Sequence, residues 1–336
     1  HDERWGHGWI LWSKFALSQG SLDQADHWAA RVEKDARQFH WKTVRAHALR
    51  ERGRVARQQG EIARAWRRLQ EAEVLAQRIG DEELLANCRH DMGRVLLDRG
   101  ALSRATDSFQ RARSDFDAIN DTIGAGTSCL GLGSVATRAG EYAQAAAHLE
   151  QALHYFEESG SRAGVANCLN VLGEVARLRG QLEEAENSYR KSLDIYRMIG
   201  TGLDAVPKVN LGLVLVERER YQEAFSMLEE GLEIFEEQGR KGFIGAVHAF
   251  LLPCLAYHRY WQSFDEHQLQ AKEILKQTSL LDADIARLTS IAGDLACEAK
   301  QFKRAKEAYQ LSLSQWQELD QQEEVDKVRA ALQELG

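Results

Sequence analysis

Apolar positions along this chain recur with helical spacing and are interrupted at regular intervals by turns. In and just before Asn170 to Gly200, the residues Leu169, Leu172, Val175 and Ala176 fall at i, i+3, i+6 and i+7, one face of an amphipathic helix. Gly180 ends that helix, since glycine enters the left-handed cap conformation without a Cβ penalty. Leu182, Ala185, Tyr189, Leu193 and Tyr196 then line one face of a second helix, which Gly200 ends. Thr201 is placed to cap the next helix.

The same pair of helices repeats. Its turn glycines are Gly20, Gly60, Gly100, Gly140 and Gly180, and degenerate turns continue the series near Glu219, Arg259 and Lys300. Boundaries between pairs read as helix stop followed by N-cap at Ile79-Gly80-Asp81, Ser159-Gly160-Ser161 and Ile199-Gly200-Thr201, with Asn120-Asp121 in the same role. The predicted units are residues 1–40, 41–80, 81–120, 121–160, 161–200, 201–240, 241–279 and 280–319, followed by a capping helix over 320–336. A fixed period of this size signifies a solenoid. The expected fold is therefore all-α, eight helical hairpins plus a cap in one array over 1–336.

Two units depart from the pattern. In the first, Trp5, Trp9 and Trp12 share a helix face. Solenoid ends usually carry a polar cap, so these rings either pack against Trp28 or meet a segment upstream of His1. The chain is accordingly expected to be a fragment of a longer one. In unit seven, Leu252 and Phe264 add volume where glycine and alanine stand elsewhere, and Pro253 is expected to kink the helix and widen its spacing. Phe243, Phe250, Tyr257, Tyr260 and Trp261 crowd the same region.

The repeat resembles the tetratricopeptide repeat (TPR), in the long form of the Pins/LGN adaptor family and of bacterial signalling proteins. Its L-G-x-x-[YA] element appears as Leu132-Gly133 with Ala136, Leu172-Gly173 with Ala176, and Leu211-Gly212 with Leu215. Its second-helix alanine appears as Ala65, Ala105, Ala145, Ala185, Ala224 and Ala305. The resemblance implies a right-handed superhelix in which the mid-helix glycine lets the paired helix approach, opposite the alanine. It also implies that first helices line a concave binding groove. Transferred to this chain, the groove positions are His47, Arg50, Arg54 and Arg57; Asn87, His90, Arg94 and Leu97; Thr127, Leu130, Ser134 and Thr137; Asn167, Asn170, Glu174 and Arg177; and, one residue off frame, Asn210. Beyond them Val206, Val209, Ala246, Ala249 and Asp294 would make the groove apolar and acidic.

Charge sharpens this reading. The net charge of −8 argues against a general nucleic-acid binder. Yet residues 31–78 hold 13 Lys/Arg against 6 Asp/Glu. His47, Arg50, Arg54 and Arg57 fall on one stripe of their helix. Arginine matches a carboxylate with its planar fork, and an asparagine amide clamps an extended backbone. The expected partner is an extended acidic peptide or protein segment. An alternative is a regulatory arm of a larger signalling enzyme, with its partner in a domain of the same chain.

Catalytic chemistry is not evident. No P-loop, Rossmann fingerprint, HExxH, GxSxG or kinase signature occurs. His7, His27 and His40 lack companions at ligand spacing, and pairs such as Glu183-Glu184 and Glu229-Glu230 read as solvated faces. Cys88, Cys129, Cys168, Cys254 and Cys297 are never spaced as CxxC and read as reduced core residues. No cofactor, metal, enzyme activity or membrane association is expected. No apolar run reaches the ~18 residues of a membrane span, and a cytoplasmic location is inferred.

Overall fold

A computed structural model describes residues 3–18, 21–200, 204–278 and 280–335. Gly20 and Thr201, read above as a turn and a cap, lie outside the described residues. Among the described residues the chain forms 17 helices and no strands. They pack as two compact units, residues 1–179 and 180–336.

The first unit contains α1 (Glu3–Ser18), α2 (Leu22–Gln38), α3 (Lys42–Gln58), α4 (Ile62–Ile79), α5 (Glu82–Asp98), α6 (Leu102–Ala118), α7 (Thr122–Arg138), α8 (Tyr142–Glu158) and α9 (Arg162–Leu178). The second contains α10 (Leu182–Ile199), α11 (Ala205–Glu217), α12 (Tyr221–Glu237), α13 (Lys241–Tyr257), α14 (Trp261–Thr278), α15 (Ala283–Glu298), α16 (Phe302–Glu318) and α17 (Gln322–Glu334). In the first unit each helix packs on the next, and each odd-numbered helix also touches the following odd one.

Left-handed residues set the register. Positive φ occurs at His40, Gly60, Gly80, Gly100, Asn120, Gly140, Gly160, Gly180 and Gly200, then at Glu219, Gly239, Arg259, Lys300 and Asp320. The degenerate turns expected at Glu219, Arg259 and Lys300 thus adopt the same conformation without glycine, at φ 59°, 59° and 61°. The predicted caps form as well. Asp81 accepts from the Leu84 N–H, Asp121 from Gly124 and Ser161 from Gly164.

The mid-helix glycines are sites of close approach. A Cβ on Gly133 would lie 2.7 Å from Leu149 Cγ and 3.5 Å from the Ala145 carbonyl. Gly53 meets Leu69 and the Ala65 carbonyl in the same way, and Gly212 meets Leu228 and the Ala224 carbonyl. The nearest obstacle is therefore the leucine one turn beyond the alanine, with the alanine backbone behind it. Cys88, Cys129, Cys168 and Cys254 are buried, Cys297 is half-buried, and all five are free thiols.

The α13/α14 hairpin changes the packing order. Elsewhere in the second unit the later helix of one hairpin packs on the first helix of the next; α12 on α13 is an example. Helix α15 instead packs on α13, and α14 makes a small contact with α16. Composition explains the difference. Every residue from Gly245 to Ala256 is buried, so α13 is covered on all sides and packs both ways. Helix α14 buries only the stripe Phe264, Gln268, Ala271 and Leu275. A cavity of about 370 Å³ opens between α14 and α16, lined by Leu275, Leu280, Leu281 and Leu311 with Lys272, Lys276 and Glu318. Helix α13 runs unbroken across Pro253. Val209, Ala246 and Ala249, expected on the groove, are buried.

Candidate functional site

The basic stripe lies on α3, facing α5. Arg50 Nε donates to Asp91 Oδ2 at 2.7 Å. Arg54 Nη1 donates to Glu51 Oε2 at 2.9 Å, and Arg57 Nη1 to Asp98 Oδ2 at 3.0 Å. His47 Nε2 lies 3.6 Å from Asp81 Oδ2. Every member of the stripe therefore has an acid of the same chain beside it. Glu51 and Asp91 are 1% and 4% exposed, so their pairs belong to the packed interior.

The electrostatics follow from this pairing. Burial opposes ionisation of Asp91, but Arg50, and beyond it Arg54, outweigh burial and hold the carboxylate at about 2. His47 is pushed down, mainly by burial, against the opposing pull of Asp81. His90 is buried against Phe109, with ring centroids 5.3 Å apart, and burial pushes it down to about 3. Its Nδ1 has no hydrogen-bond partner. Of the expected groove residues on this face, His90 is thus below the surface.

Arg94, one turn beyond His90 on α5, differs from the stripe. It is exposed and makes no ion pair among the described residues. Desolvation by the surrounding protein, then the Arg57 charge, lower it to about 10, so it stays cationic at neutral pH. Among the described residues, Arg94 on α5 thus makes no ion pair, unlike the four members of the α3 stripe.

The remaining expected positions satisfy themselves locally or lie elsewhere. Asn87 Nδ2 donates to the Glu83 carbonyl, and Thr127, Ser134 and Thr137 donate to carbonyls one turn back in α7. Thr137 is buried. On α9, Asn167 is exposed, whereas Asn170, Glu174 and Arg177 are half-buried. Asn210 is half-buried on α11 of the second unit. Asp294 accepts from the Tyr309 hydroxyl at 2.6 Å.

Glu51 stands beside the stripe in sequence, whereas Asp81, Asp91 and Asp98 reach it from the next hairpin. The sequence carries a signal of this. Arg50 to Asp91 and Arg57 to Asp98 both span 41 positions, one repeat plus one residue. A second acidic pair, Asp26 and Glu33 on α2, takes Arg52, Arg64 and Arg68. Asp26, Asp91 and Asp98, all outside residues 31–78, thereby offset part of the local positive excess.

On α1, Trp9 is half-buried and stacks on Trp28 with centroids 4.4 Å apart. Trp5 and Trp12 are 68% and 58% exposed, and Leu11 and Phe15 are exposed beside Trp12. Among the described residues, no cluster of three or more His, Cys, Asp or Glu side chains could hold a metal ion. None of the described helices is long and apolar enough to cross a membrane.

Comparison with known proteins agrees with this architecture. Tetratricopeptide-repeat family models match residues 126–198 and 208–237. No curated protein matches the chain in sequence. Among solved structures, the Rap conjugation gene regulator of plasmid pLS20, in complex with a Phr peptide, is 14% identical. The match covers 97% of each chain at a TM-score of 0.68. A Rap protein complexed with competence and sporulation factor is 13% identical, over 99% of this chain and 98% of that one, at 0.63. A signal-transduction ATPase with a tetratricopeptide-repeat sensor from Pyrococcus horikoshii is 12% identical, over 93% of this chain and 47% of its own, also at 0.63. Residues 126–198 and 208–237 thus carry tetratricopeptide repeats, and the left-handed turns set about twenty residues apart and the glycine-mediated hairpins give the described residues a fold similar to solenoids of that repeat.

Proposed function

We propose that this chain is an interaction module that takes an acidic segment of a protein or peptide across the α3–α5 face, rather than an enzyme. The observation that supports the reading is Arg94. It is exposed and cationic, and among the described residues it makes no ion pair, whereas Arg50, Arg54 and Arg57 each make one. The buried His90 one turn away has an orphan Nδ1. An incoming carboxylate supplies the missing counter-ion for Arg94 through a charge-assisted, forked hydrogen bond. One of the solved structures with this fold is a complex with a peptide, which is consistent with an extended ligand.

The ion pairs of the stripe couple its arginines to the fold. Glutamate at Arg50 would set two acids against each other in the interior, so loss of binding could not be separated from loss of fold. Arg94→Glu avoids this, because the side chain is exposed. A fluorescein-labelled peptide rich in Asp and Glu should bind the wild-type chain, more weakly as salt rises. The Arg94→Glu variant should bind at least tenfold more weakly, on the order of 1.4 kcal/mol, with unchanged helical circular dichroism. Equal affinities without salt dependence would sink the proposal.

A second reading is favoured by α1. Leu11, Trp12 and Phe15 expose a contiguous apolar stripe, of the kind that covers or is covered by another protein surface. This fits the module as a sensor arm that contacts a further domain.

A further inference from the structure

The first hairpin contains a cavity of about 280 Å³ that shares no residue with the α3–α5 face. Three indoles wall it: Trp5 and Trp9 from α1, and Trp41 at the N-cap of α3. Val32 contributes from α2, together with two charged side chains, Arg31 and Asp35.

Those two charges lie one helical turn apart and would ordinarily pair. They do not. Arg31 places its guanidinium over the Trp9 ring, 5.5 Å from the centroid. The Asp35 side chain accepts no hydrogen bond and makes no ion pair among the described residues, although it is half-buried. Trp9 is further occupied by its stack with Trp28, and Trp41 stacks on Phe39 at 5.1 Å. Among the described residues Trp5 makes no aromatic ring contact, and it is 68% exposed. What remains is an uncompensated carboxylate beside the indoles of Trp5 and Trp41.

We propose that this cavity binds an alkylated ammonium group. The negative faces of indole rings attract a cation, and tryptophan does so best. Asp35 supplies the opposite charge. Methyl groups on the nitrogen suit apolar walls and weaken the cation's hydration, whereas a bare ammonium holds its water. Arg31 is the built-in competitor: it already occupies one ring and repels a second cation. The same headgroup occurs on free small molecules and on trimethylated lysine side chains of a partner protein.

The test titrates the full chain with tetramethylammonium chloride at constant ionic strength, following tryptophan fluorescence. tert-Butanol, similar in size but neutral, is the control. Saturable binding of the cation is expected, about tenfold tighter than any binding of the alcohol. Asp35→Asn should weaken the cation about tenfold, and Arg31→Gln should tighten it, an effect that loss of structure does not produce. Choline and a trimethyl-lysine peptide then compete for the site, and the tighter of the two identifies the source. No saturation, equal binding of tert-butanol, or indifference to both substitutions overturns the proposal.

Discussion

The guanidinium of Arg50 on α3 and the carboxylate of Asp91 on α5 meet at 2.7 Å, although 41 residues separate them. The bond ties the first helices of two successive hairpins together on the face expected to bind a ligand. Removing one partner of a buried pair strands the other. Arg50→Ala should therefore cost about 3–5 kcal/mol in chemical denaturation. Arg57→Ala breaks a more exposed pair and should cost under about 1 kcal/mol. The double change Arg50→Met with Asp91→Leu should recover most of the loss. Equal costs for Arg50→Ala and Arg57→Ala would show that burial does not distinguish the two pairs.

Gly133 offers a test of the repeat packing. A Cβ there would lie 2.7 Å from Leu149 Cγ, closer than real Cβ atoms come, with backbone behind it. Gly133→Ala should lower stability by about 1–3 kcal/mol through overpacking, despite alanine's better helix propensity. An unchanged or higher melting temperature would contradict the close approach of α7 and α8.

The non-glycine turns make the opposite prediction. Arg259 holds φ at 59°, where an L-residue is strained by roughly 1–2 kcal/mol. Glycine relieves the strain but loses more backbone entropy on folding. Arg259→Gly should stabilise by up to about 1 kcal/mol, whereas Gly140→Ala, at φ 77°, should destabilise. Differential scanning calorimetry of the two variants checks both signs.

Acid should weaken the fold before it protonates most carboxylates. Burial pushes His90 to about 3 and His248 to about 4, from an ordinary value of 6.5. His248 also shares a 2.9 Å Nδ1–Nδ1 contact with His267. Below pH 6.5 the unfolded chain takes up protons that the native chain refuses. Stability is therefore full above that pH and falls as pH drops towards 4, by on the order of 1–2 kcal/mol per histidine at pH 5. Asp91 adds its own loss below its ordinary 3.8, as pH falls through about 2. His90→Leu should flatten the melting temperature between pH 6.5 and 4; an unchanged slope would remove His90 as a contributor.

The sequence by itself determined the helices and the turns between them. Those features are local: apolar spacing, capping residues and turn residues act within a few positions, and repetition amplifies them. Even Glu219, Arg259 and Lys300 were legible as turns, because the period continued through them. The stripe on α3 was also legible as a stripe, since helical spacing fixes which residues share a face. Tertiary structure alone decided what that stripe meets. Asp81 and Asp98 reach it from the next hairpin, so charge that looked uncompensated along the chain is paired in space, and Arg94 is left as the exposed cation. The α13/α14 hairpin makes the same point. Leu252, Pro253 and Phe264 announced an irregular unit, but α15 packs on α13 because α13 is buried all round. Long-range pairing and packing depend on which surfaces meet, and a local pattern carries that information only indirectly.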